Sequence, residues 1–293
     1  MNDGDGRMSA GITPERRKRR LRKGMFVLPS LFTSLNIAAG YYAVSQTIMA
    51  SPTEPRRFDY AAMAIGFAVL FDGLDGRIAR MTNTTSDFGR ELDSLADVIT
   101  FGVAPAVLAW MWGFRYLTET INSDFRMKLI QLGAIATFLF LVAGASRLAR
   151  FNIQKNPQPS NPGKPGRKYF VGMPIPAGAG VIAAVVHFTT GQPLTSWWES
   201  VIWIGLVMAT GFLMVSTWRF YSFKDIDLRH QHPFRNIILI GGLIALIWFF
   251  SQYVLFLLAL VYMLSGVLAR LMYIFRRPSS PAPPTYKEAS ELR

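Results

Sequence analysis

The sequence predicts an all-α membrane protein, a polytopic bundle of about eight transmembrane helices. Three observations lead to this prediction, and the first is composition. Hydrophobic residues make up 51% and charged residues 17% of the 293 positions, a balance too apolar for an ordinary soluble domain of this length. The second is a series of apolar windows of about 17 to 25 residues, the length of helix that crosses a bilayer with its backbone groups hydrogen-bonded internally.

The predicted spans are separated by short connections and are flanked by two tails. We expect a basic N-terminal tail over 1–24, a transmembrane domain over 25–276 and a disordered C-terminal tail over 277–293. The final two spans are separated only near Ser251-Gln252, so a re-entrant pair is an alternative there. In order, the predicted spans cover residues 27–49, 59–80, 90–113, 128–150, 171–190, 199–217, 235–250 and 252–274.

Basic residues gather on one side of the predicted membrane, which is the third observation. The formal net charge is +13, and a basic run from Arg16 to Lys23 directly precedes the first span. With an even number of spans, the positive-inside rule places both termini on the cytoplasmic side of the cell (inner) membrane, in a multi-pass topology. Charge next to apolar spans indicates contact with membrane lipids and argues against a nucleic-acid partner.

The chemistry of this chain must depend on aspartate and histidine, because cysteine is absent. Acidic residues cluster at the cytoplasmic end of the second predicted span. A helix there places five residues on one face, at positions i, i+3, i+4, i+7 and i+8: Asp72, Asp75, Gly76, Ala79 and Arg80.

The third predicted span begins with a second acidic face, formed by Gly89, Asp93 and Asp97. The two helices are joined by a short loop and are therefore antiparallel neighbours, which brings Asp75 and Asp93 to a similar depth. Like charges this close disfavour ionisation unless a cation offsets them. Hard oxygen ligands suit Mg²⁺, Mn²⁺ or Ca²⁺.

Glycine and arginine on the same surface indicate a phosphorylated ligand. Gly76 and Gly89 let a ligand approach the backbone, and Arg80 offers a forked positive charge that suits phosphate oxygens. The alternative is a structural ion network in which the aspartates pair with Arg77, Arg80 and Arg90. Four acids on two facing helices, with glycines between them, favour the metal site and phosphoryl chemistry.

The spacing of these residues resembles the signature of the CDP-alcohol phosphatidyltransferases. The chain reads Asp72-x2-Asp75-Gly76-x2-Ala79-Arg80-x8-Gly89-x3-Asp93-x3-Asp97, without a gap or substitution. The resemblance implies a six-helix membrane core, with the last two spans as an addition. It also implies transfer of a substituted phosphoryl group from a CDP-linked donor to an alcohol, with release of CMP.

The resemblance also implies roles for individual residues. Asp72, Asp75, Asp93 and Asp97 are expected to bind a divalent metal, Mg²⁺ or Mn²⁺, and Asp97 is also the expected catalytic base. The residues expected to bind CDP-diacylglycerol lie on the motif, in its loop and at the start of the first span: Ser30, Thr33, Asn36, Gly76, Arg80, Ser86 and Gly89. Helix capping is an alternative role for Ser30 and Thr33.

The sequence around the motif resembles the phosphatidylserine synthase branch of this family, which implies CDP-diacylglycerol and L-serine as substrates. The carboxylate of serine requires a cation, and the expected acceptor-binding residues are Arg147, Arg150 and Asn152. For Arg147 and Arg150, membrane-surface anchoring is an equally good explanation. The strings that carry this resemblance are Phe71 to Arg77, Asp93 to Asp97, Phe101 to Ala106, Arg147 to Asn152 and Gly172 to Pro176.

Two other functions are compatible with parts of this pattern. The same chemistry could use glycerol 3-phosphate or inositol phosphate as acceptor, since the basic loop would also suit a phosphate. A Mg²⁺ transporter or proton-coupled carrier would use the acids as an ion pathway, although they do not continue across the membrane. A homodimer is compatible with this architecture, and His187 has no partner that the sequence identifies.

Overall fold

The computed structural model describes residues 14–82, 87–118, 122–153, 159–160, 169–222 and 233–275. Within these ranges, side chains are described except at 14–30, 74–82, 87, 233–237 and 239–240. Almost all of the described chain is helical, which confirms the predicted all-α architecture. The predicted C-terminal tail over 277–293 lies outside the described residues.

Two long helices, α1 (Pro14–Met49) and α2 (Arg56–Thr82), pack along each other at the start of the fold. They correspond to the first two predicted spans. Helix α1 begins within the predicted N-terminal tail, at a proline, a residue that is well suited to the first turn of a helix.

The third predicted span is one apolar segment with an irregular centre. Helix α3 (Asp87–Asp97) is followed by a π-helical segment (Val98–Val103) and by helix α4 (Ala104–Phe114). Helix α1 approaches the π-helical segment closely at Gly40, where an added Cβ would lie 2.6 Å from the Thr100 hydroxyl oxygen. Glycine at this position lets α1 pack beside the end of α3.

Helix α5 (Ser123–Ile153) matches the fourth predicted span, but the fifth span was predicted too long. A short strand, β1 (Tyr169–Val171), pairs with β2 (Arg219–Tyr221), and helix α6 covers only Ile175–Phe188. The reason lies between strand and helix, where Gly172 has a φ of +75° and Pro174 precedes the first turn. A Cβ at Gly172 would lie 2.6 Å from the carbonyl oxygen of Met214, so the chain must turn there before α6 begins.

The last two helices complete the bundle. Helix α7 (Trp197–Val215) packs on α5, and helix α8 (Pro233–Phe275) packs on α6 and β2. Helix α8 is continuous apart from Phe250, whose φ of −134° and ψ of 38° are not helical. The predicted division near Ser251 is therefore a kink between the two halves of one long element.

The structure supports a membrane protein. Four described segments are long and apolar enough to cross a membrane: Phe88–Phe114, Ser123–Ile153, Trp197–Val215 and Gly241–Phe275. Helix α6 is apolar but shorter, with 14 residues. Large apolar side chains such as Trp248 and Phe249 are exposed on α8, as expected for a surface in contact with lipid. The predicted number of about eight spans stays a prediction.

The prediction that His187 has no partner is wrong. His187, near the end of α6, is buried, and its Nδ1 lies 2.5 Å from Oδ1 of Asp59 in α2. Its Nε2 lies 2.9 Å from the hydroxyl oxygen of Ser251, directly after the kink in α8. Both ring nitrogens are therefore used to join three helices, a contact between residues far apart in the sequence.

Candidate metal centre

Three of the four predicted aspartates meet where α2 and α3 face each other. Asp72, Asp93 and Asp97 each offer a carboxylate oxygen, and these three atoms lie within 4.8 Å of one another. Asp93 and Asp97 come from successive turns of α3, as the spacing of four residues predicts. Asp72 comes from the facing side of α2, so the centre requires both helices.

The position of Asp97 is set by the first helix. Asn36 of α1 donates a hydrogen bond from Nδ2 to Oδ1 of Asp97, at 3.3 Å. The backbone carbonyl of Asn36 accepts a hydrogen bond from the Thr100 hydroxyl, at 2.8 Å. Both contacts occur beside the close approach at Gly40, so α1 holds Asp97 and the π-helical segment together.

The donor set fits a hard divalent cation. Oδ1 of Asp93 is buried and has no hydrogen-bond partner among the described residues. Asp97 is also buried, with 8% of its surface exposed. Three clustered carboxylates repel one another, and a buried carboxylate oxygen without a donor is costly, so a cation bound among them would relieve both effects. Oxygen-only ligands of this kind suit Mg²⁺ or Mn²⁺.

For several predicted site residues, the side chains lie outside the part of the chain that the structure describes. Asp75, Gly76 and Arg80 lie in α2 and Ser30 lies in α1, but their side chains are outside the described part. Ser86 is outside the described residues altogether. Two further donor-binding candidates lie on the helices that form the centre: Thr33 is buried on the same helix as Asn36, and Gly89 lies on α3 one turn before Asp93.

The two predicted acceptor arginines have different surroundings. Arg150 donates to the carbonyl oxygens of Val215 at 3.0 Å, Ser216 at 3.4 Å and Met214 at 3.5 Å, where α7 ends. Arg147, one turn earlier on α5, is 7% exposed, and its Nε has no hydrogen-bond partner among the described residues. The Arg147 guanidinium interacts electrostatically with Asp97, so it lies within electrostatic range of the metal centre.

Asn152, the third acceptor candidate, contacts α3. Its Nδ2 donates to the hydroxyl oxygen of Ser94 at 2.9 Å, and that hydroxyl donates to the carbonyl of Arg90 at 3.0 Å. Sequence reasoning had not singled out Ser94 or Thr100. Ser94 lies between the motif residues Asp93 and Asp97, and Thr100 lies three residues after Asp97, which could have suggested a supporting role. Their partners on distant helices left no local signal.

A sequence model of the CDP-alcohol phosphatidyltransferase family matches residues 26–211. The chain belongs to this family. The match covers α1 to most of α7, including the three aspartates of the centre, and ends before β2 and α8.

Curated members of the family are similar to this chain over much of its length. A protein of Helicobacter pylori (strain J99) is 35% identical over 212 residues, covering 69% of this chain and 75% of that protein. A protein of Mycobacterium leprae is 38% identical over 197 residues, covering 65% of this chain and 56% of that protein. A protein of Methanocaldococcus jannaschii is 38% identical over 144 residues, covering 49% of this chain and 58% of that protein. All three are named CDP-diacylglycerol–serine O-phosphatidyltransferase.

Proposed function

We propose that this protein transfers the phosphatidyl group of CDP-diacylglycerol to the hydroxyl of L-serine, giving phosphatidylserine and CMP. The observation that carries the proposal is the convergence of Asp72, Asp93 and Asp97 within the region that matches the family. One buried oxygen of Asp93 has no hydrogen-bond partner in the part of the chain that the structure describes. The names of the similar proteins support CDP-diacylglycerol as donor and serine as acceptor.

In this proposal, a divalent metal is held by Asp72, Asp93 and Asp97. Asp75, which lies on α2 like Asp72, is the proposed fourth ligand. The metal, Mg²⁺ or Mn²⁺, supplies Lewis-acid stabilisation of charge on the pyrophosphate. The chain itself supplies the ligand geometry, since α2 and α3 each fix part of the set. Arg80 adds positive charge for the phosphates, and Gly76 and Gly89 leave room for the nucleotide beside the backbone.

Asp97 is the proposed base. Asn36 donates to one of its oxygens and therefore orients the carboxylate, while the carboxylate removes the proton from the serine hydroxyl. The serine oxygen then forms a bond to the β-phosphorus of the donor as the bond to the bridging oxygen of CMP breaks. Ser30, Thr33 and Ser86 are proposed to contact the nucleotide, and Asn36 is now better explained by its contact with Asp97.

The acceptor is proposed to lie at the end of α5. Arg147 is buried and interacts electrostatically with Asp97, its Nε has no acceptor among the described residues, and it carries the charge that a carboxylate needs. The three carbonyl contacts of Arg150 favour a structural role for that residue, because they occupy its guanidinium. Asn152, through Ser94, is proposed to shape the floor of the pocket.

We further propose a location for this chemistry. Basic loops and an even number of spans favour the cell (inner) membrane, with the site and both termini facing the cytoplasm. The basic start of the chain would then lie against anionic membrane lipids. In this arrangement the catalytic domain comprises residues 25–276, between two tails, and a homodimer is its proposed assembly.

The decisive experiment is a reconstitution. The purified protein in liposomes that contain CDP-diacylglycerol and Mg²⁺ is offered L-serine, glycerol 3-phosphate, inositol phosphate and free glycerol in turn. CMP release with L-serine alone is the expected result. Release with only a phosphorylated alcohol would overturn the acceptor, and cation flux without CMP release would overturn the enzyme in favour of a carrier.

A further inference from the structure

Arg147 is a buried cation with one donor, Nε, that has no hydrogen-bond partner among the described residues. Only 7% of its surface is exposed, and its Nε has no partner among the described residues. Its guanidinium carbon lies 5.9 Å from the centre of the Phe151 ring, a contact that offers no hydrogen-bond acceptor in the plane of the guanidinium. A buried N–H donor without an acceptor is costly, and an acceptor on a bound ligand would relieve this cost.

Helix α8 brings a phenol to this cation. The Arg147 guanidinium interacts electrostatically with the Tyr262 side chain as well as with Asp97. Tyr262 is partly buried, and its ring lies 5.7 Å from the ring of Phe220 in β2, with an angle of 40° between the planes. Two different helices therefore contribute a hydroxyl donor and a guanidinium that lie close enough to interact, and the guanidinium also interacts with the proposed base.

The position of Tyr262 on α8 is fixed by its neighbours. Met263, the next residue, is buried, and its sulfur accepts a hydrogen bond from the Thr210 hydroxyl of α7 at 3.9 Å. One turn later, Gly266 leaves space that the Phe220 ring occupies, so that a Cβ there would collide with the ring. At the other end of this half of α8, Ser251 contacts His187. The helix is thus anchored on both sides of Tyr262.

We propose that Tyr262 and Arg147 together bind the carboxylate of the acceptor, so that α8 determines specificity for an amino-acid alcohol. The Tyr262 hydroxyl would donate to one carboxylate oxygen, and the Arg147 guanidinium would provide charge and a second donor. This inference rests on the proposed function. It also gives α8 a role in the reaction, although α8 lies outside the residues 26–211 that match the family.

The test replaces Tyr262 by Phe, which removes the hydroxyl and keeps the ring that packs on Phe220. The control is Tyr253→Phe, on the same helix, where the Tyr253 ring is exposed and lies edge-on to Phe188. Two acceptors are compared in the same preparation of each protein: L-serine and serinol, in which a hydroxymethyl group replaces the carboxylate. The ratio of their kcat/KM values does not depend on how much of the variant is folded.

A hydrogen bond to a charged group is worth about 1.5–3 kcal/mol, so the serine-to-serinol ratio is expected to fall at least about tenfold in Tyr262→Phe. The fall should come from a higher KM for serine, with the KM for CDP-diacylglycerol unchanged. Tyr253→Phe should keep the wild-type ratio.

Two results would overturn the inference while leaving the proposed function intact. One is an unchanged ratio in Tyr262→Phe, and the other is a higher KM for CDP-diacylglycerol with an unchanged KM for serine, which would assign Tyr262 to the donor. If the wild-type protein released no CMP with serine, the proposed function itself would fail, and the inference with it.

Discussion

At the scale of single residues, Asp97 combines two properties that a base in this reaction needs. It belongs to the carboxylate cluster, and it is oriented by a hydrogen bond from Asn36. The hydrogen bond from Asn36 reaches Oδ1 of Asp97 and orients the carboxylate that is proposed to serve both the metal and the acceptor proton. Asp93 has a buried oxygen with no described partner and is better suited to a ligand role.

Replacing Asp97 by Asn keeps its size and removes its basicity. Proton transfer by a positioned side chain contributes about 10²–10⁴-fold to a rate, so we expect kcat to fall by that factor. Binding of CDP-diacylglycerol should persist. CMP release and binding of labelled donor measure the two effects. The control is Glu91→Gln, an exposed acid on the same helix, which should keep full activity. Full activity in Asp97→Asn would exclude the role as base.

The residues of the centre could be predicted from the sequence because helical periodicity is local. A spacing of three or four residues places acids on one face, and a short loop makes consecutive helices neighbours. The contact between Asn36 and Asp97 crosses 61 positions, and the distinction between Arg147 and Arg150 depends on where α7 ends. The local sequence determines neither the Asn36–Asp97 contact nor the different surroundings of the two arginines, so these features could not be predicted.

At the scale of helices, the approach of α1 to the π-helical segment depends on Gly40. Gly40→Ala would place a Cβ 2.6 Å from the Thr100 hydroxyl oxygen and 2.9 Å from its Cα, so a helix must shift. Overpacking of this kind costs about 1–3 kcal/mol. We expect a lower melting temperature in detergent and, because Asn36 shares the contact, lower activity.

Gly66→Ala is the matched control for this prediction. Gly66 lies in α2, the other helix of the hairpin, and no atom lies within 4 Å of its added Cβ. This variant should be as stable as the wild type or slightly more stable, because alanine favours helix more than glycine does. Equal melting temperatures for the two variants would contradict the close approach of α1 and the π-helical segment.

The contact of His187 with Asp59 and Ser251 should matter for the attachment of α8. His187→Ala removes the partner of a carboxylate and a hydroxyl, and a lost buried hydrogen bond costs about 1–3 kcal/mol. We expect lower thermal stability and faster proteolysis near the kink at Phe250. Ser251→Ala should show a smaller effect of the same sign.

Ser265→Ala is the matched control on α8, since among the described residues the Ser265 hydroxyl donates to a carbonyl of its own helix, that of Tyr262. Its proteolysis near the kink should equal that of the wild type. Proteolysis of His187→Ala at the wild-type rate would show that α8 is held without this contact.

At the scale of the whole molecule, a metal ion bound at the centre should stabilise the folded protein against unfolding. A ligand that binds only the folded state stabilises it by about 2.7 kcal/mol at a concentration of 100 times Kd. We therefore expect Mg²⁺ or Mn²⁺ to raise the melting temperature of the purified protein in detergent, and a chelator to reverse the rise. Asp93→Asn should lose most of this response, whereas Glu91→Gln should keep it. An equal response in both variants would place the metal elsewhere.

The architecture of the molecule could be predicted from composition and apolar windows, because a bilayer restricts spanning segments to a few solutions. The boundaries of α2, α5 and α7 follow the predicted spans to within a few residues. The pairing of β1 with β2 and the contacts of α8 could not be predicted. They depend on residues about 50 positions apart that meet only once the bundle is assembled.

The π-helical segment follows Asp97 and connects α3 to α4. Its turn contains one residue more than a turn of α-helix. Each residue of an α-helix advances the chain by about 100° around the axis. If α4 kept its packing, with Trp112 against Trp203, deleting one residue within Val98–Val103 would rotate α3 about its axis. Asp93 and Asp97 would then point about a quarter turn away from α2. A substitution at Thr100 would remove one contact with α1, whereas a deletion would change the direction in which the carboxylates of α3 point.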